Sequence, residues 1–147
     1  DITAKHILSN IDPEYKKFTG VDMGAATDQE NEALAKQLKF ERVPDFEYTL
    51  MGEYRVSMTN RGDLIFRGQY AWRDGFYSDT INRPLRAIDD YGILDASVRF
   101  ENENWRVSLW GRNLTEENYG DIISVGFNYQ QFGGQARTYG VDVGYNF

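Results

Sequence analysis

The sequence predicts an all-β fold, in which about six antiparallel strands follow one another as an up-and-down meander and form part of a transmembrane β-barrel. Three observations predict this fold. Successive segments alternate between apolar and polar side chains with the period of a β-strand. One of the two faces formed in this way carries no charged residue, and short connections between the segments alternate with long ones.

Five segments show the alternation strongly, and each ends at a turn signal or a loop. A sixth, less regular strand is predicted near the N-terminus, where Pro13 indicates an irregular or edge position because proline cannot donate to a sheet ladder. The five segments span residues 46–58, 64–77, 91–101, 105–118 and 136–147, and the sixth spans about 2–17.

The connections fall into two groups, as they do in outer-membrane barrels, where short turns lie at one end and long loops at the other. The first long loop is predicted to contain a short helix over residues 28–38, with Asp28 as its N-cap, because apolar residues recur there four positions apart. Residues 59–63 and 102–104 form the short turns, and residues 18–45, 78–90 and 119–135 form the long loops.

The two faces of the predicted sheet differ in charge. One face is apolar, aromatic or small throughout. A half-buried soluble sheet also places apolar side chains on one face, so a soluble β-sandwich binding domain is an alternative, in which the uncharged face would be a core. The opposite face carries Glu47, Glu53, Arg55, Arg67, Arg73, Asp95, Arg99, Arg106 and Arg112.

Aromatic residues gather at the two ends of the predicted strands, while Leu, Val, Ala and Gly fill most of the middle. Amphipathic rings concentrate at the two membrane interfaces, which border an apolar band about 25 Å tall. This sorting favours lipid, rather than a protein core, as the cover of the uncharged face. The residues assigned to the membrane interfaces are Tyr48, Tyr70, Trp72 and Trp105.

Composition excludes several classes of protein. The net charge of −7, from 16 basic and 23 acidic residues, argues against a nucleic-acid surface. The absence of cysteine excludes disulfides, thiol nucleophiles and cysteine metal sites. No apolar run reaches the ~20 residues that a membrane helix requires. No export signal is found, so either a signal was removed or the true start lies elsewhere.

Two stretches near the C-terminus resemble the last two strands of TonB-dependent outer-membrane receptors. They are WRVSLWGRNLTEENYG, residues 105–120, and the terminal RTYGVDVGYNF, residues 137–147. The pattern G-x-N-L-x-(D/E)-x-x-Y of that family is fitted by Gly111, Asn113, Leu114, Glu116 or Glu117, and Tyr119. Four segments further upstream also look like the corresponding segments of that family: Pro44-Asp45-Phe46, Tyr70-Ala71-Trp72-Arg73, Phe76-Tyr77 and Tyr91-Gly92-Ile93-Leu94-Asp95-Ala96. The resemblance therefore covers residues 44–147 well and residues 1–43 only by position.

The resemblance implies that residues 1–147 are the C-terminal portion of a receptor barrel, without its plug domain. The whole protein would be a barrel of about 22 strands in the bacterial outer membrane, importing a scarce nutrient such as an iron–siderophore complex or cobalamin. Its energy would come from the inner membrane through the TonB complex. The implied partners are outer-membrane lipid, the remaining strands and plug, and a small-molecule ligand, with no nucleic acid and no cofactor.

The resemblance also implies an assembly signal in the terminal strand, which the barrel-assembly machinery would read by strand pairing. Asp142 departs from the common form of this signal, which often has Gly at that position. The residues of the implied signal are Tyr139, Val141, Val143, Tyr145 and Phe147.

The candidate site residues fall into two sets. The charged face listed above would face the lumen or the plug; the alternative is a solvated wall whose charges pair across strands for about 0.2–1 kcal/mol each. Loop residues at the long-loop end would meet a ligand first, although most polar loop residues are simply solvated. These possible ligand contacts are Arg83, Arg86, Asp89, Asp90, Asp121, Asn128, Tyr129, Gln130 and Gln131.

Other readings have less support. Asp89 with Asp90 could imitate a pair of catalytic carboxylates, but adjacent strand residues point to opposite faces and no nucleophile and base accompany them, so we expect no enzyme activity. His6 has no clustered partner, which argues against a zinc site. A complete small outer-membrane barrel with a structural or adhesive role is a further alternative to the receptor fragment.

Overall fold

The structure is a computed structural model that describes residues 1–16, 24, 27–125 and 128–147. For residues 121–125, 128, 129 and 131 it describes the backbone only. In the described parts, no helix is long and apolar enough to cross a membrane.

The main element of the fold is one antiparallel sheet of six strands, in the order β1-β2-β3-β6-β7-β10. β1 and β10 are its edges, and within the described residues each pairs with one neighbour only. The sheet is therefore a partial barrel wall, which confirms the predicted all-β antiparallel meander. In chain order the elements are β1 (Ile2–Asn10), α1 (Asp28–Ala35), β2 (Phe46–Met58), β3 (Gly62–Arg73), β4 (Phe76–Tyr77), β5 (Ala87–Ile88), β6 (Tyr91–Glu101), β7 (Trp105–Arg112), β8 (Gly120–Val125), β9 (Asn128–Gly133) and β10 (Thr138–Tyr145).

The register of the sheet places the charges on one side. Opposed residues of antiparallel strands point to the same side, and Glu47 is opposed to Arg73 while Tyr48 is opposed to Trp72. The charged face is formed by the odd-numbered residues of β1, β2, β3 and β6 and the even-numbered residues of β7 and β10. The uncharged face, formed by the other residues of these strands, contains no Asp, Glu, Lys or Arg in the sheet as described.

The uncharged face is exposed, although it carries most of the large apolar side chains. Leu109 is 53% exposed and Val141 is 60% exposed. On the charged face, by contrast, Ile65 is only 1% exposed. A soluble sheet buries its apolar face against a second layer, and no second layer covers this face within the described residues.

Several strand ends differ from the predicted ones. β3 ends at Arg73 and not at residue 77, because Phe76–Tyr77 leave the sheet and pair with Ala87–Ile88 inside a predicted loop. β7 ends at Arg112 and not at 118, because Asn113 has a left-handed backbone with φ of 49°. The predicted loop 119–135 contains the hairpin of β8 and β9, which sequence alternation did not reveal.

The N-terminal predictions also need correction. β1 ends at Asn10, three residues before Pro13, so the predicted strand to residue 17 was too long. The N-cap of α1 is Thr27 and not Asp28: the Thr27 hydroxyl accepts from the Glu30 N–H, and the Glu30 carboxylate accepts from the Thr27 N–H. This reciprocal capping box fixes the start of the helix one residue earlier.

The turns and loops are sorted as predicted. The two short turns lie at one end of the sheet, between β2 and β3 and between β6 and β7. At the first of them Gly62 has φ of 112°, and the carbonyl of Glu101 would lie 2.3 Å from any added Cβ, so only glycine fits there. The long connections, with α1 and both small hairpins, lie at the other end.

Candidate functional site

The charged face forms an open, concave cavity of about 390 Å³. Its lining reaches from Lys5 on one edge strand to Asp142 on the other, so the sheet curves around this face as a barrel wall curves around a lumen. Arg67, Asp95 and Arg112 also line it. The structure thus gathers the predicted charged residues on one concave surface.

Two direct cross-strand ion pairs join β2 to β3 on this surface. Arg67 Nε lies 2.6 Å from Glu53 Oε2, and the two residues are directly opposed. Arg73 forms an ion pair with Glu47 in the same way, and its Nη1 lies 3.5 Å from the hydroxyl of Tyr91 on β6. These pairs agree with the register that the short turn between β2 and β3 sets, because a slip would separate the opposite charges.

A second cluster lies at the short-turn end and centres on Glu101. Its Oε2 is 3.3 Å from Arg99 Nε and 3.9 Å from Arg106 Nε, and its Oε1 is 3.6 Å from Arg55 Nη1. Arg55 Nη1 also donates to Asp63 at 2.9 Å. The cluster ties β2, β3, β6 and β7 together and holds three arginines against two carboxylates.

The remaining charges of the predicted set have other partners. Asp95 Oδ1 accepts from the backbone N–H of Asn113 at 2.9 Å, and the Arg112 guanidinium lies 5.4 Å from the centre of the Trp110 ring. Cross-strand pairing therefore accounts for much of this charge. Contact of these residues with a plug or a ligand stays a prediction.

Asn113 organises the end of β7. Its side chain is buried, with 1% exposed, and donates to the carbonyls of Glu117 and Gln135 at 2.9 Å each. Its Oδ1 accepts from the Glu117 N–H at 2.8 Å. The motif that carried the family resemblance is therefore a structural turn, which joins β7 to the segment just before β10.

Tyr119, the last residue of the same motif, closes this turn from the loop side. Its ring stacks on Tyr91 of β6 with centroids 4.8 Å apart, and its hydroxyl accepts from the Gln135 N–H at 3.0 Å. The ring also fills the space beside Gly134, where a Cβ would lie 2.2 Å from it. The loop that follows β7 is thus anchored to the sheet by packing and hydrogen bonds.

The segment after α1 packs on the loop between β4 and β5. The Lys39 N–H donates to Asn82 Oδ1 at 2.6 Å, and Asn82 Nδ2 donates back to the Lys39 carbonyl at 3.0 Å. The Thr80 hydroxyl donates to Glu41 at 3.0 Å, and the Arg42 N–H donates to the Tyr77 carbonyl at 2.8 Å. Two long connections therefore form one connected surface.

Lys39 also forms an ion pair on this surface. Its ammonium donates to the carboxylate of Asp45, and this hydrogen bond raises the pKa of Lys39 above its usual value against a smaller opposing effect of burial. The pair closes the loop just before β2 begins. Both side chains remain nearly half exposed, so the contact is a surface pair.

The predicted ligand contacts occupy different environments. Arg83, Asp89 and Asp90 are exposed, and the Arg83 N–H donates to Asp79 Oδ1 at 3.0 Å. Arg86 is buried, with 2% exposed, and its carbonyl accepts from Ser78, so it does not lie at the loop surface. Gln130 is exposed, whereas the side chains of Asp121, Asn128, Tyr129 and Gln131 lie outside the described residues.

Aromatic rings form two groups on the uncharged face. At the long-loop end, Tyr48 contacts Trp72 at 5.5 Å and Tyr70 at 5.9 Å between centroids. At the short-turn end, Tyr145 contacts Trp105 at 4.7 Å. One further stacked pair, Tyr54 with Phe66 at 6.3 Å, lies nearer the middle, so the sorting of rings is less strict than the sequence suggested. Their placement at membrane interfaces stays a prediction.

The residues of the predicted assembly signal share the uncharged face on β10. Tyr139, Val141, Val143 and Tyr145 are opposed to Gly111, Leu109, Val107 and Trp105 of β7, and the ring of Phe147 meets Tyr145 edge-on at 5.2 Å. The Asn146 N–H donates to the Asn104 carbonyl at 2.8 Å, which fastens the end of the strand to the β6–β7 turn. Recognition by an assembly machine stays a prediction.

No group of three or more Asp, Glu, His or Cys residues is placed to hold a metal ion in the described residues. His6 lies on the uncharged face, opposed to Leu50. The charged face therefore offers cross-strand ion pairs, hydrogen-bonding groups and a cavity, and these suit contact with another polar surface or solute.

The sequence matches no protein-family model and no curated protein. Solved structures do match. The siderophore receptor PiuA from Acinetobacter baumannii is 20% identical with a TM-score of 0.74, covering 98% of this chain and 19% of that one. BauA, the ferric preacinetobactin receptor of the same organism, is 20% identical with a TM-score of 0.69, covering 98% and 20%.

The ferric yersiniabactin uptake receptor FyuA from Yersinia pestis is also similar, with 21% identity and a TM-score of 0.64 over 73% of this chain and 17% of that one. At this level of identity the likeness shows the fold. The chain has the strand arrangement of a part of these receptors and spans about a fifth of their length or less, which confirms the predicted resemblance as one of fold.

Proposed function

We propose that the chain is the C-terminal portion of the barrel domain of a TonB-dependent transporter in the bacterial outer membrane. The complete protein takes up a scarce nutrient, an iron–siderophore complex, cobalamin or a similar small molecule, with energy from the inner membrane. The plug and the other strands belong to parts of the protein outside residues 1–147.

One observation carries this proposal: the apolar face of the sheet is exposed while the charged face curves around a cavity. A soluble sheet instead buries its apolar groups. The observed arrangement is that of a membrane barrel, whose outside meets lipid and whose interior is polar.

The open edges of the sheet support a larger barrel over a complete small one. Six strands are fewer than the ~8 of the smallest membrane barrels, and unpaired backbone groups are costly in lipid. The small-barrel alternative requires about two more strands within residues 1–43, where the described residues contain only β1, which already belongs to the sheet, α1 and an isolated bridge at Glu41. The fold similarity to uptake receptors favours the same conclusion.

The roles of the charged face and the loops follow from this architecture. The charged face would contact the plug through exposed polar atoms that cross-strand pairing leaves available, and the linked long loops would meet the ligand. The receptors with this fold are named for siderophore uptake, which favours an iron chelate over the other nutrients.

The first test is the mass of the native polypeptide that contains WRVSLWGRNLTEENYG in the outer-membrane fraction of its source cells. A mass several times 17.0 kDa is expected. A mass near 17.0 kDa, or recovery only from a soluble fraction, would overturn the proposal.

The second test measures transport. Deletion of the gene should abolish high-affinity uptake of one labelled ferric chelate in intact, iron-starved cells. Collapse of the inner-membrane proton gradient should abolish the same uptake in unmodified cells. Uptake that is unaffected by both treatments across a panel of chelates and cobalamin would contradict a role in energised import.

A further inference from the structure

Most opposed charges on the charged face are complementary. Three directly opposed positions on neighbouring strands combine an acid with an arginine, and one opposes two acids, Asp63 and Glu101, which both approach Arg55. The pair of Glu53 and Arg67 is in hydrogen-bonding contact at 2.6 Å. The other two opposed pairs are Glu47 with Arg73 and Glu101 with Arg106.

The other charges of the four inner strands also have partners in the sheet or its turns. Arg55 pairs with Asp63 at 2.9 Å, and Arg99 lies 3.3 Å from Glu101. Asp95 accepts from the Asn113 N–H, and Arg112 lies over the Trp110 ring. Each charge on an inner strand thus has a partner nearby, on a neighbouring strand, on its own strand or in a turn, and the buried Nε of Arg99 makes no hydrogen bond within the described part of the chain.

The two edge strands each present one charge on this face, Lys5 on β1 and Asp142 on β10. Both side chains are exposed and line the same cavity. Neither has an ion pair or a side-chain hydrogen bond with a described residue. The two charges without a partner on this face are therefore those that have an open edge beside them.

The residues opposed to Asp142 and Lys5 explain why neither charge has a partner within the sheet. Asp142 is opposed to the neutral Ser108 on β7, and the arginine two positions away, Arg106, is directed to Glu101. Lys5 is opposed to Met51 on β2. Among the strands of a barrel, each edge charge can therefore meet a partner only across the open side of its own strand.

We propose that the open edges are matched by charge: the strand that pairs with β10 places a Lys or Arg opposite Asp142, and the strand that pairs with β1 places an Asp or Glu opposite Lys5. Both are strands of the same polypeptide, so this inference rests on the proposed function. The pairs set the register of the two seams, because a two-residue slip keeps the faces but separates the charges.

Space beside Asp142 suits a long basic side chain. Its neighbours on the same face of β10 are Gly140 and Gly144. A Cβ at Gly144 would find its nearest atoms, those of Arg106, at 3.9 Å, whereas the Trp110 ring fills the space at Gly140, where a Cβ would lie 2.5 Å from it. The Asp142 carboxylate therefore has open space on its Gly144 side and remains accessible there to a guanidinium or ammonium from the far side.

Cysteine cross-linking tests the pairing directly, since the chain contains no cysteine. In the full-length protein in outer membranes, Asp142→Cys is combined in turn with a cysteine at each inward position of the strand across the edge. Oxidation should give the highest yield of intramolecular disulfide at a position that holds Lys or Arg. Highest yield at a neutral or acidic position would overturn the inference.

Charge reversal gives an independent readout. Asp142→Lys should lower, several-fold, the fraction of protein that migrates as a folded, heat-modifiable band, and reversal of the facing basic residue should restore it. Asp89→Lys, the same charge change at an exposed loop residue, should leave the fraction unchanged. Equal behaviour of Asp142→Lys and Asp142→Asn, without rescue, would contradict the inference.

The same design applies to Lys5→Glu at the other edge. A disulfide that doubles the mass would place a second copy of the chain on the edge and overturn the assignment to one polypeptide. A native mass near 17.0 kDa would remove the proposed function itself. A larger barrel with an uncharged residue opposite Asp142 would remove only this inference.

Discussion

Asn113 and Glu117 are joined by a reciprocal pair of hydrogen bonds across the turn that ends β7. The Asn113 amide donates to the Glu117 carbonyl at 2.9 Å, and the Glu117 N–H donates to Asn113 Oδ1 at 2.8 Å. The same amide reaches the Gln135 carbonyl, so one side chain holds both ends of the loop between β7 and β10. These hydrogen bonds make Asn113 the residue that holds the turn together.

Asn113→Ala should therefore destabilise the protein by about 2–4 kcal/mol, because partly buried backbone groups lose their partners and alanine disfavours the left-handed backbone. The midpoint of urea unfolding in lipid vesicles measures the change. Asn118→Ala, at an exposed residue of the same loop, is the matched control and should stay within about 0.5 kcal/mol. Equal midpoints for the two variants would show that the turn is held by other groups.

Gly92 makes room for the ring of Tyr70, whose hydroxyl would lie 2.1 Å from a Cβ at that position. Gly92→Ala should displace the ring and cost about 1–3 kcal/mol, as overpacking does. Gly52→Ala, also on the uncharged face, meets no atom within 4 Å and should be neutral or slightly stabilising. Urea unfolding of both variants in vesicles measures the difference, and a loss for Gly52→Ala alone would contradict this packing.

A substitution at Leu109 tests whether lipid or water covers the uncharged face. Leu109→Arg should cost about 2–4 kcal/mol if the residue lies near the middle of a bilayer, and little if this exposed face meets water. Gln69→Arg adds the same charge on the opposite face, where Asp95 is directly opposed, and should be tolerated. The yield of folded protein in the outer membrane measures both, and equal yields would argue against a lipid-facing surface.

The ion pair of Lys39 with Asp45 predicts that the stability of the 36–45 segment falls at alkaline pH. The folded pKa of Lys39 is raised, so its contribution is fully present below the unfolded value near about 10.4 and is lost as pH rises through the higher folded value. Proteolysis of the 36–45 segment in the membrane-embedded protein should therefore accelerate at the alkaline end of this range. Lys39→Met should remove the added pH dependence. Lys36→Met, which removes the exposed ion pair between Lys36 and Glu32 at the end of α1, should retain it.

Much of the fold could be predicted from local pattern. The bounds of β2 and β6 agree with the predicted segments 46–58 and 91–101, because an uninterrupted period of two residues is enough to identify a strand and its faces. The separation of charged from uncharged faces followed from the same period. The end of β7 did not, since it is set by the left-handed backbone of Asn113 and by the hydrogen bonds of its side chain to Glu117 and Gln135.

The sequence by itself determined which residues share a face, where the short turns lie and which side chains suit lipid, because these properties depend on neighbours a few positions apart. Only the tertiary structure decided that Glu53 meets Arg67, that Arg86 is buried and that Lys5 and Asp142 are left over at the open edges. Those facts depend on strand register and loop packing, which join residues far apart in the chain. The pairing of charges across a sheet is one of these facts, because the register of the neighbouring strand decides which residue lies opposite a given charge.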